Sequence, residues 1–180
     1  MKSERSLKAR ALQLLAQRDQ SRLELRRKLM RHAKGRSADR FDVAADVDAD
    51  ATTAADPSAE VDALLDWLEA NRLLSDQRFA ESRVHAREAR FGLARIKNEL
   101  AQHGVALSAA ALESLSASEL GRAAAVRERR FGSVPANAAE RAAQSRFLLG
   151  RGFAPELVRR LMRKLARPDA DTDDALRAAD

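Results

Sequence analysis

Apolar residues recur at intervals of three and four positions along most of the chain, which is the spacing of one face of an α-helix. β-Branched residues are few and never alternate with polar ones, so strands have little support. Leu7, Leu14 and Leu15 mark a first helix over residues 4–17, and a second helix is expected to end near Gly35. The whole pattern predicts an all-α fold of about eight helices.

Capping residues predict where several helices begin and end. Three pairs have the spacing of a capping box, namely Ser21 with Glu24, Ser116 with Glu119 and Asn137 with Glu140. The second pair predicts a break after a short helix that begins at Ser108 and ends near Leu115. Asp76 is expected to N-cap a helix that extends to about Arg90, and Asn71 to provide a left-handed cap before it.

Three stretches of the chain are similar to one another and predict an array of repeats. Each carries two apolar residues four positions apart with basic side chains beside them, at Leu25–Leu29, Ile96–Leu100 and Leu157–Leu161, so that the copies are spaced by 71 and 61 residues. A repeat of this size cannot bury its apolar face alone, so neighbouring copies must stack. Phe79 and Phe153 are expected to pack in the resulting core, and Trp67 to pack either in the core or between repeats.

Charge alternates along the sequence and suggests five segments. Residues 1–36 carry twelve basic and three acidic residues, residues 37–66 carry one and nine, and residues 67–167 carry nineteen and ten. The expected organisation is a first helical repeat over 1–35, a flexible acidic insertion over 36–57, a central repeat region over 58–115, a third repeat over 116–167 and a disordered acidic tail over 168–180. Basic repeats favour a polyanion or an acidic protein surface as the partner.

Catalysis and metal binding have little support. The chain has no Cys, its three histidines form no metal-binding pair, and it has neither a nucleophile elbow nor a Walker loop. Two aspartate runs, which begin at Asp46 and Asp169, lack the glycine of a calcium loop. We therefore expect no enzymatic activity, no cofactor and no metal. The absence of Cys, of a signal peptide and of a long apolar run predicts a cytoplasmic protein with no membrane partner.

The basic helices carry the stronger functional signal. In residues 155–167 a broad apolar face lies opposite five basic side chains, and the helix after Ser21 repeats this arrangement. Eight side chains on or beside the repeated second helices are expected to form one continuous basic strip that binds the partner: Arg22, Arg26, Arg95, Lys97, Arg151, Arg159, Arg160 and Arg163. No aromatic residues interleave with them in the sequence, so stacking on single-stranded bases has weak support.

Four motifs, in order, resemble the RecX family of bacterial regulatory proteins. They are the hairpin LLA–SRLELRRKL over residues 14–29, DQRFAE over residues 76–81, the series Gly92, Ile96, Leu100 and Gly104, and RRF at 129–131 with FLxxRGF at 147–153. The resemblance extends over about residues 5–165, apart from the insertion. It implies an elongated, curved array of tandem three-helix repeats.

The same resemblance implies a function in DNA repair and the SOS response. The chain would bind the RecA recombinase filament on DNA, and DNA itself through the filament or directly. It would restrain ATP hydrolysis, strand exchange and the stimulation of repressor cleavage. We expect a non-enzymatic monomer. A general helical DNA-binding protein and a small scaffold for another acidic protein are the alternatives, and they differ from the first interpretation in their dependence on RecA and on nucleic acid.

Overall fold

The computed structural model describes residues 6–43 and 56–166, and the side chains of 35–43 are not part of that description. These residues form eight α-helices and no strand, which confirms the predicted all-α fold. The helices are α1 Leu7–Gln17, α2 Arg22–Val43, α3 Pro57–Ala70, α4 Asp76–Glu88, α5 Leu93–Gln102, α6 Ala109–Phe131, α7 Ala138–Gly150 and α8 Pro155–Ala166.

The second helix is longer than its sequence predicts. It continues through Gly35 to Val43, although glycine costs about 1 kcal/mol relative to alanine inside a helix. The first eight residues of the predicted acidic insertion are therefore helical. Residues 44–55 of that insertion, and the predicted tail 168–180, lie outside the described residues.

The chain divides into two compact units, the first comprising residues 1–82 with 102–105 and the second comprising 83–101 with 106–180. In the first unit, α1, α2 and α3 bury one apolar cluster that consists of Leu7, Ala11, Leu14, Leu25, Leu29, Ala33, Val61, Leu65, Leu68 and Leu74. The sequence-based organisation places α3 in the central repeat region, residues 58–115. In the structure α3 completes a three-helix bundle with α1 and α2, because its buried stripe joins their apolar cluster and packs chiefly against α2.

Caps in the first unit follow the predictions in part. Ser21 Oγ accepts the N–H of Glu24 at 3.1 Å, as the capping box requires. Asp76 does not cap its own helix, because Ser75 Oγ accepts the N–H of Arg78 at 3.2 Å and starts α4. The residue with left-handed backbone after α3 is Arg72, with φ of 58°, rather than Asn71.

The two aromatic residues predicted to pack in this unit have different environments. Phe79 is 1% exposed and meets the ring of His103 edge-on, with 5.1 Å between the ring centroids. Trp67 is 39% exposed, and Lys8 Nζ lies 3.7 Å from its ring centroid. The core alternative for Trp67 is wrong, because the buried stripe of α3 runs through Val61, Leu65 and Leu68 and leaves Trp67 outside it.

In the second unit, α6 is one continuous helix across the predicted break at Ser116. Glu119 does not belong to a capping box. Its carboxylate is 5% exposed and accepts the N–H of Leu93 at 2.9 Å, so it caps the start of α5 instead. Three steps along α6, Arg122 donates to the carbonyl oxygens of Glu88, Phe91 and Leu115. Glu119 and Arg122 together satisfy hydrogen-bonding groups of the backbone between α4 and α5.

The core of the second unit consists of Ala123, Val126, Leu148, Phe153, Val158, Leu161 and Met162, from α6, α7, α8 and the turn between the last two. The capping box predicted at Asn137 and Glu140 agrees with the structure. Asn137 Oδ1 accepts the N–H of Glu140 at 2.9 Å, and Glu140 accepts the N–H of Ala136 in return. Ile96 and Leu100 of α5 are buried, as their repeat positions predict.

Candidate partner-binding surface

The eight side chains predicted to bind the partner are divided between the two units. In the first unit α2 carries Arg22 and Arg26. In the second unit α5 carries Arg95 and Lys97, the turn after α7 carries Arg151, and α8 carries Arg159, Arg160 and Arg163.

Arg22 and Arg26 are both engaged by the acidic face of α3. Arg22 pairs with Asp66 and Glu69, each at 2.6 Å, and Arg26 makes a two-point contact with the carboxylate of Asp62 at 2.6 and 2.8 Å. Exposed pairs of this kind are worth about 0–1 kcal/mol each. Their main effect is to fix α2 beside α3 and to neutralise the charges predicted to meet the partner.

The titration behaviour of these groups reflects the same pairing. Burial opposes the charge of Arg22, but its hydrogen bonds and attraction to Asp66 and Glu69 outweigh burial and raise its pKa. The hydrogen bond between Arg26 and Asp62 raises the pKa of the guanidinium and lowers the pKa of the carboxyl. Arg22, Arg26 and Asp62 are therefore charged over the physiological range.

Two glycines bring Arg95 and Arg151 together. Gly92 N–H donates to the carbonyl of Arg151 at 3.0 Å, and a Cβ on Gly92 would lie 2.2 Å from the carbonyl oxygen of Gly152. Gly152 has φ of 82°, where side chains other than glycine are strained. This close backbone contact seats the start of α5 on the turn after α7.

The side chains around that contact surround one phenyl ring. The guanidinium carbons of Arg95 and Arg151 lie 4.5 and 5.4 Å from the centroid of Phe91, and those of Arg87 and Arg90 lie 5.8 Å from it. Cations at such distances are attracted to the face of an aromatic ring. The meeting of Arg151 with Phe91 is not visible in the sequence, because the two residues are 60 positions apart.

The exposed side of α8 carries the three remaining predicted arginines. Val158, Leu161 and Met162 face the core, while Arg159, Arg160 and Arg163 are exposed. Arg159 pairs with Glu156 on the same helix. Within the described residues, Arg160, Arg163 and the exposed Lys97 of α5 form no ion pair, so their charges are available to a partner.

A small recess in the second unit gathers four arginines, only one of which the sequence prediction included. It has a volume of about 220 Å³ and is lined by Arg90, Arg129, Arg130 and Arg151 together with Ala89, Val126 and Phe147. We call these four residues the arginine recess. Arg90 appears in the sequence only as part of a dispersed basic patch, and Arg129 and Arg130 only as part of a motif. Their meeting depends on the contact between α6 and α7.

Basic charge is concentrated in the second unit. Its described residues include sixteen Lys and Arg against seven Asp and Glu, whereas those of the first unit include thirteen against eleven. A surface with this excess attracts polyanions and acidic proteins. The second unit is therefore the stronger candidate for partner binding.

Two other kinds of feature, a metal site and a membrane-spanning helix, are absent from the described residues. Among the described side chains, no three His, Asp or Glu residues are close enough to hold a metal ion. Across residues 6–43 and 56–166, none of the helices has the length and the apolar character needed to cross a membrane.

Comparison with known proteins agrees with this architecture. A family model described as the second three-helix domain of RecX matches residues 75–111, and a model of the third three-helix domain matches residues 117–162. The regulatory protein RecX of Ralstonia nicotianae is 47% identical over 87% of this chain and 86% of its own length. That of Leptothrix cholodnii is 43% identical over 94% of both chains.

The chain belongs to the RecX family. A crystal structure of RecX from Lactobacillus salivarius has the same fold, with a TM-score of 0.59 and 18% identity over 89% of this chain and 94% of that one. The tandem three-helix domains implied by the resemblance are confirmed. The boundary between the second and third domains falls inside α6, which explains why the predicted break at Leu115 was wrong: one helix serves both domains. A regulatory role linked to RecA is what the family name implies.

Proposed function

We propose that this chain binds the RecA filament on DNA and restrains its ATP hydrolysis, its strand exchange and its stimulation of repressor cleavage. The observation that carries the proposal is the 47% identity, over 87% of the chain, to a curated regulatory protein of the RecX family. The proposal places the chain in the cytoplasm, in the bacterial response to DNA damage.

The contacts with the filament are assigned chiefly to the second unit. Arg95, Arg151, Arg160, Arg163 and Lys97 carry charges that no carboxylate of the described chain neutralises, so they can meet acidic groups on a recombinase surface without first breaking an internal pair. Arg159 would exchange its exposed pair with Glu156 for a partner carboxylate at little cost.

Arg22 and Arg26 have a smaller part in this proposal than the sequence suggested. Each would have to give up its contacts with α3 before binding a partner. They are assigned mainly to the stability of the first unit.

We also propose that the chain is not an enzyme. The clustered chemistry of the described residues is cationic, and arginines have pKa values too high to act as general acids or bases at neutral pH. A protein of this kind alters a reaction by binding the catalyst rather than by supplying catalytic groups.

The direct test measures ATP hydrolysis by RecA on single-stranded DNA while this protein is added. We expect turnover to fall with increasing protein and the protein alone to hydrolyse no ATP. Unchanged RecA turnover at saturating protein would refute the proposal that the chain restrains RecA. ATP hydrolysis by the isolated protein would refute the proposal that it is not an enzyme.

A general DNA-binding function is the second candidate, favoured by the excess of basic residues in the second unit. It predicts that inhibition follows coverage of free DNA and disappears when excess competitor DNA is added after filaments have formed. Binding to the recombinase filament itself predicts inhibition that survives the competitor.

A further inference from the structure

Four arginine side chains line one recess of about 220 Å³ with no acidic residue among its lining. None of Arg90, Arg129, Arg130 and Arg151 forms an ion pair within the described residues. Other arginines of the second unit do: Arg83 and Arg87 both pair with Glu99, and Arg127 pairs with Glu128. The recess therefore holds a local charge that the protein itself leaves uncompensated.

Two of the four guanidinium groups are held by the backbone. Arg129 Nη2 donates to the carbonyl of Ala89 at 2.6 Å, and Arg151 Nη1 donates to the carbonyl of Arg90 at 3.3 Å. Arg151 also lies 4.8 Å from the ring centroid of Phe147, whose edge-to-face contact with Phe131 fixes that ring. These contacts orient the groups and occupy only part of their five N–H donors.

Helix ends offset only part of this charge. Arg129 and Arg130 lie in the last turn of α6, Arg151 caps the end of α7, and Arg90 follows the end of α4. A helix C-terminus is equivalent to about half a negative charge, so three of them offset about 1.5 of the four positive charges. The helix ends therefore balance less than half of this charge, and the remainder is available to an anion.

We propose that the arginine recess binds the phosphates of a single-stranded nucleic acid. Guanidinium groups match phosphate oxygens with paired hydrogen bonds. Arg90 and Arg151 also flank Phe91, where Arg95 continues the row of charges, so the surface fits a polymer that presents one phosphate after another. Half-buried Phe91 and Phe147 between these arginines add the aromatic component typical of single-strand binding.

The test uses fluorescence anisotropy of a short, labelled oligo(dT) titrated with the full-length protein in the absence of RecA. The main variant is Arg129→Gln/Arg130→Gln, which removes two charges and keeps long, helix-compatible side chains. Arg27→Gln/Arg31→Gln on the exposed side of α2 is the matched control, with the same loss of charge in the first unit.

We expect the wild-type protein and the control to bind with the same dependence on salt. The recess variant should bind at least tenfold more weakly at low salt. The slope of log K against log salt should also become shallower by about 1.4, because each phosphate that a protein cation neutralises on single-stranded DNA contributes about 0.7 through counterion release. Equal affinities and slopes for the recess variant and the control would overturn the proposal.

Two further measurements separate loss of the recess from misfolding and a phosphate site from a carboxylate site. Arg90→Gln removes an exposed side chain that lies against the face of Phe91, so it tests the recess even if the double variant fails to fold. Polyaspartate of equal charge should compete poorly; if it displaced the oligonucleotide as well as unlabelled oligo(dT) does, the recess would be a carboxylate site and the proposal would be wrong.

This inference does not depend on the proposed function. A variant that loses oligonucleotide binding but still inhibits RecA would leave the regulatory proposal standing. A protein that binds oligo(dT) through the recess and has no effect on RecA would refute the RecA modulator and leave the recess proposal and the general DNA-binding candidate standing.

Discussion

The carboxylate of Asp76, at the start of α4, accepts the backbone N–H of Arg22, at the start of α2, with 2.7 Å between the two atoms. The two residues are 54 positions apart. Asp76 therefore caps a helix of the first three-helix bundle although it is the second residue of the segment that matches the next domain. The negative charge at the N-terminus of α2 also favours the helix dipole.

Replacement of Asp76 by alanine should destabilise the first unit by about 0.5–2 kcal/mol, because the N–H of Arg22 loses its acceptor. Asp76→Asn retains an acceptor and should recover part of this loss. The free energy of unfolding in urea measures both. Gln77→Ala, which removes an exposed side chain from the same turn, is the control, and a loss as large as that of Asp76→Ala would show that the effect is not the cap.

Gly92→Ala should strongly destabilise the second unit, because its Cβ would lie 2.2 Å from a backbone oxygen that cannot move aside cheaply. Gly121→Ala is the matched control: this glycine lies inside α6 with open space around it, so alanine should stabilise the helix by roughly 0.5–1 kcal/mol. Thermal melts followed by circular dichroism would report opposite shifts. A melting temperature for Gly92→Ala at or above that of the wild type would contradict the contact.

The pH dependence of stability should include a contribution from Glu24. Burial opposes its ionisation, but hydrogen bonds from Arg18 and Lys28 outweigh burial and lower its pKa. Because the folded-state pKa is below the unfolded one, the contribution is present above the unfolded value and is lost as the pH falls through the folded value. The difference in unfolding free energy between wild type and Glu24→Gln should be largest at neutral pH and should shrink on acidification. A difference that stays constant from pH 7 to pH 3 would argue against this linkage.

Charge reversal on α8 should weaken binding to the RecA–DNA filament and leave helix content unchanged, since exposed charges contribute little to folding. The variant is Arg159→Glu/Arg160→Glu/Arg163→Glu, and the control is Arg27→Glu/Arg31→Glu/Lys34→Glu, which reverses three exposed charges on α2. Cosedimentation with filaments at two salt concentrations compares them. Equal binding of the two variants at low salt would exclude α8 as the contact surface.

Local periodicity predicted the helices and most of the core. Leu25, Leu29, Ile96 and Leu100 are buried because a stripe with the helical period has only one face to turn inward. The Asn137–Glu140 box was also predictable, since both partners lie within one turn.

Several of the failures share one physical cause, which is a partner distant in sequence. Glu119 has the spacing of a local cap but binds Leu93, and Asp76 binds Arg22. The sequence alone predicts that Arg22 and Arg26 are free surface charges, because their carboxylate partners lie on α3. The arginine recess was missed for the same reason, because no local pattern relates Arg90 to residues 129–151.

The single helix α6, shared between the second and third three-helix domains, has a consequence for how this protein can be divided. Tandem domains are usually separated at a flexible joint, where proteases cut and fragments fold alone. Here the joint lies inside a helix whose side chains Leu115, Glu119 and Ala123 are buried. A cut between residues 111 and 117 would break this helix next to these side chains and expose them. The two domains should therefore fold and be degraded as a single unit, and limited proteolysis should spare this boundary.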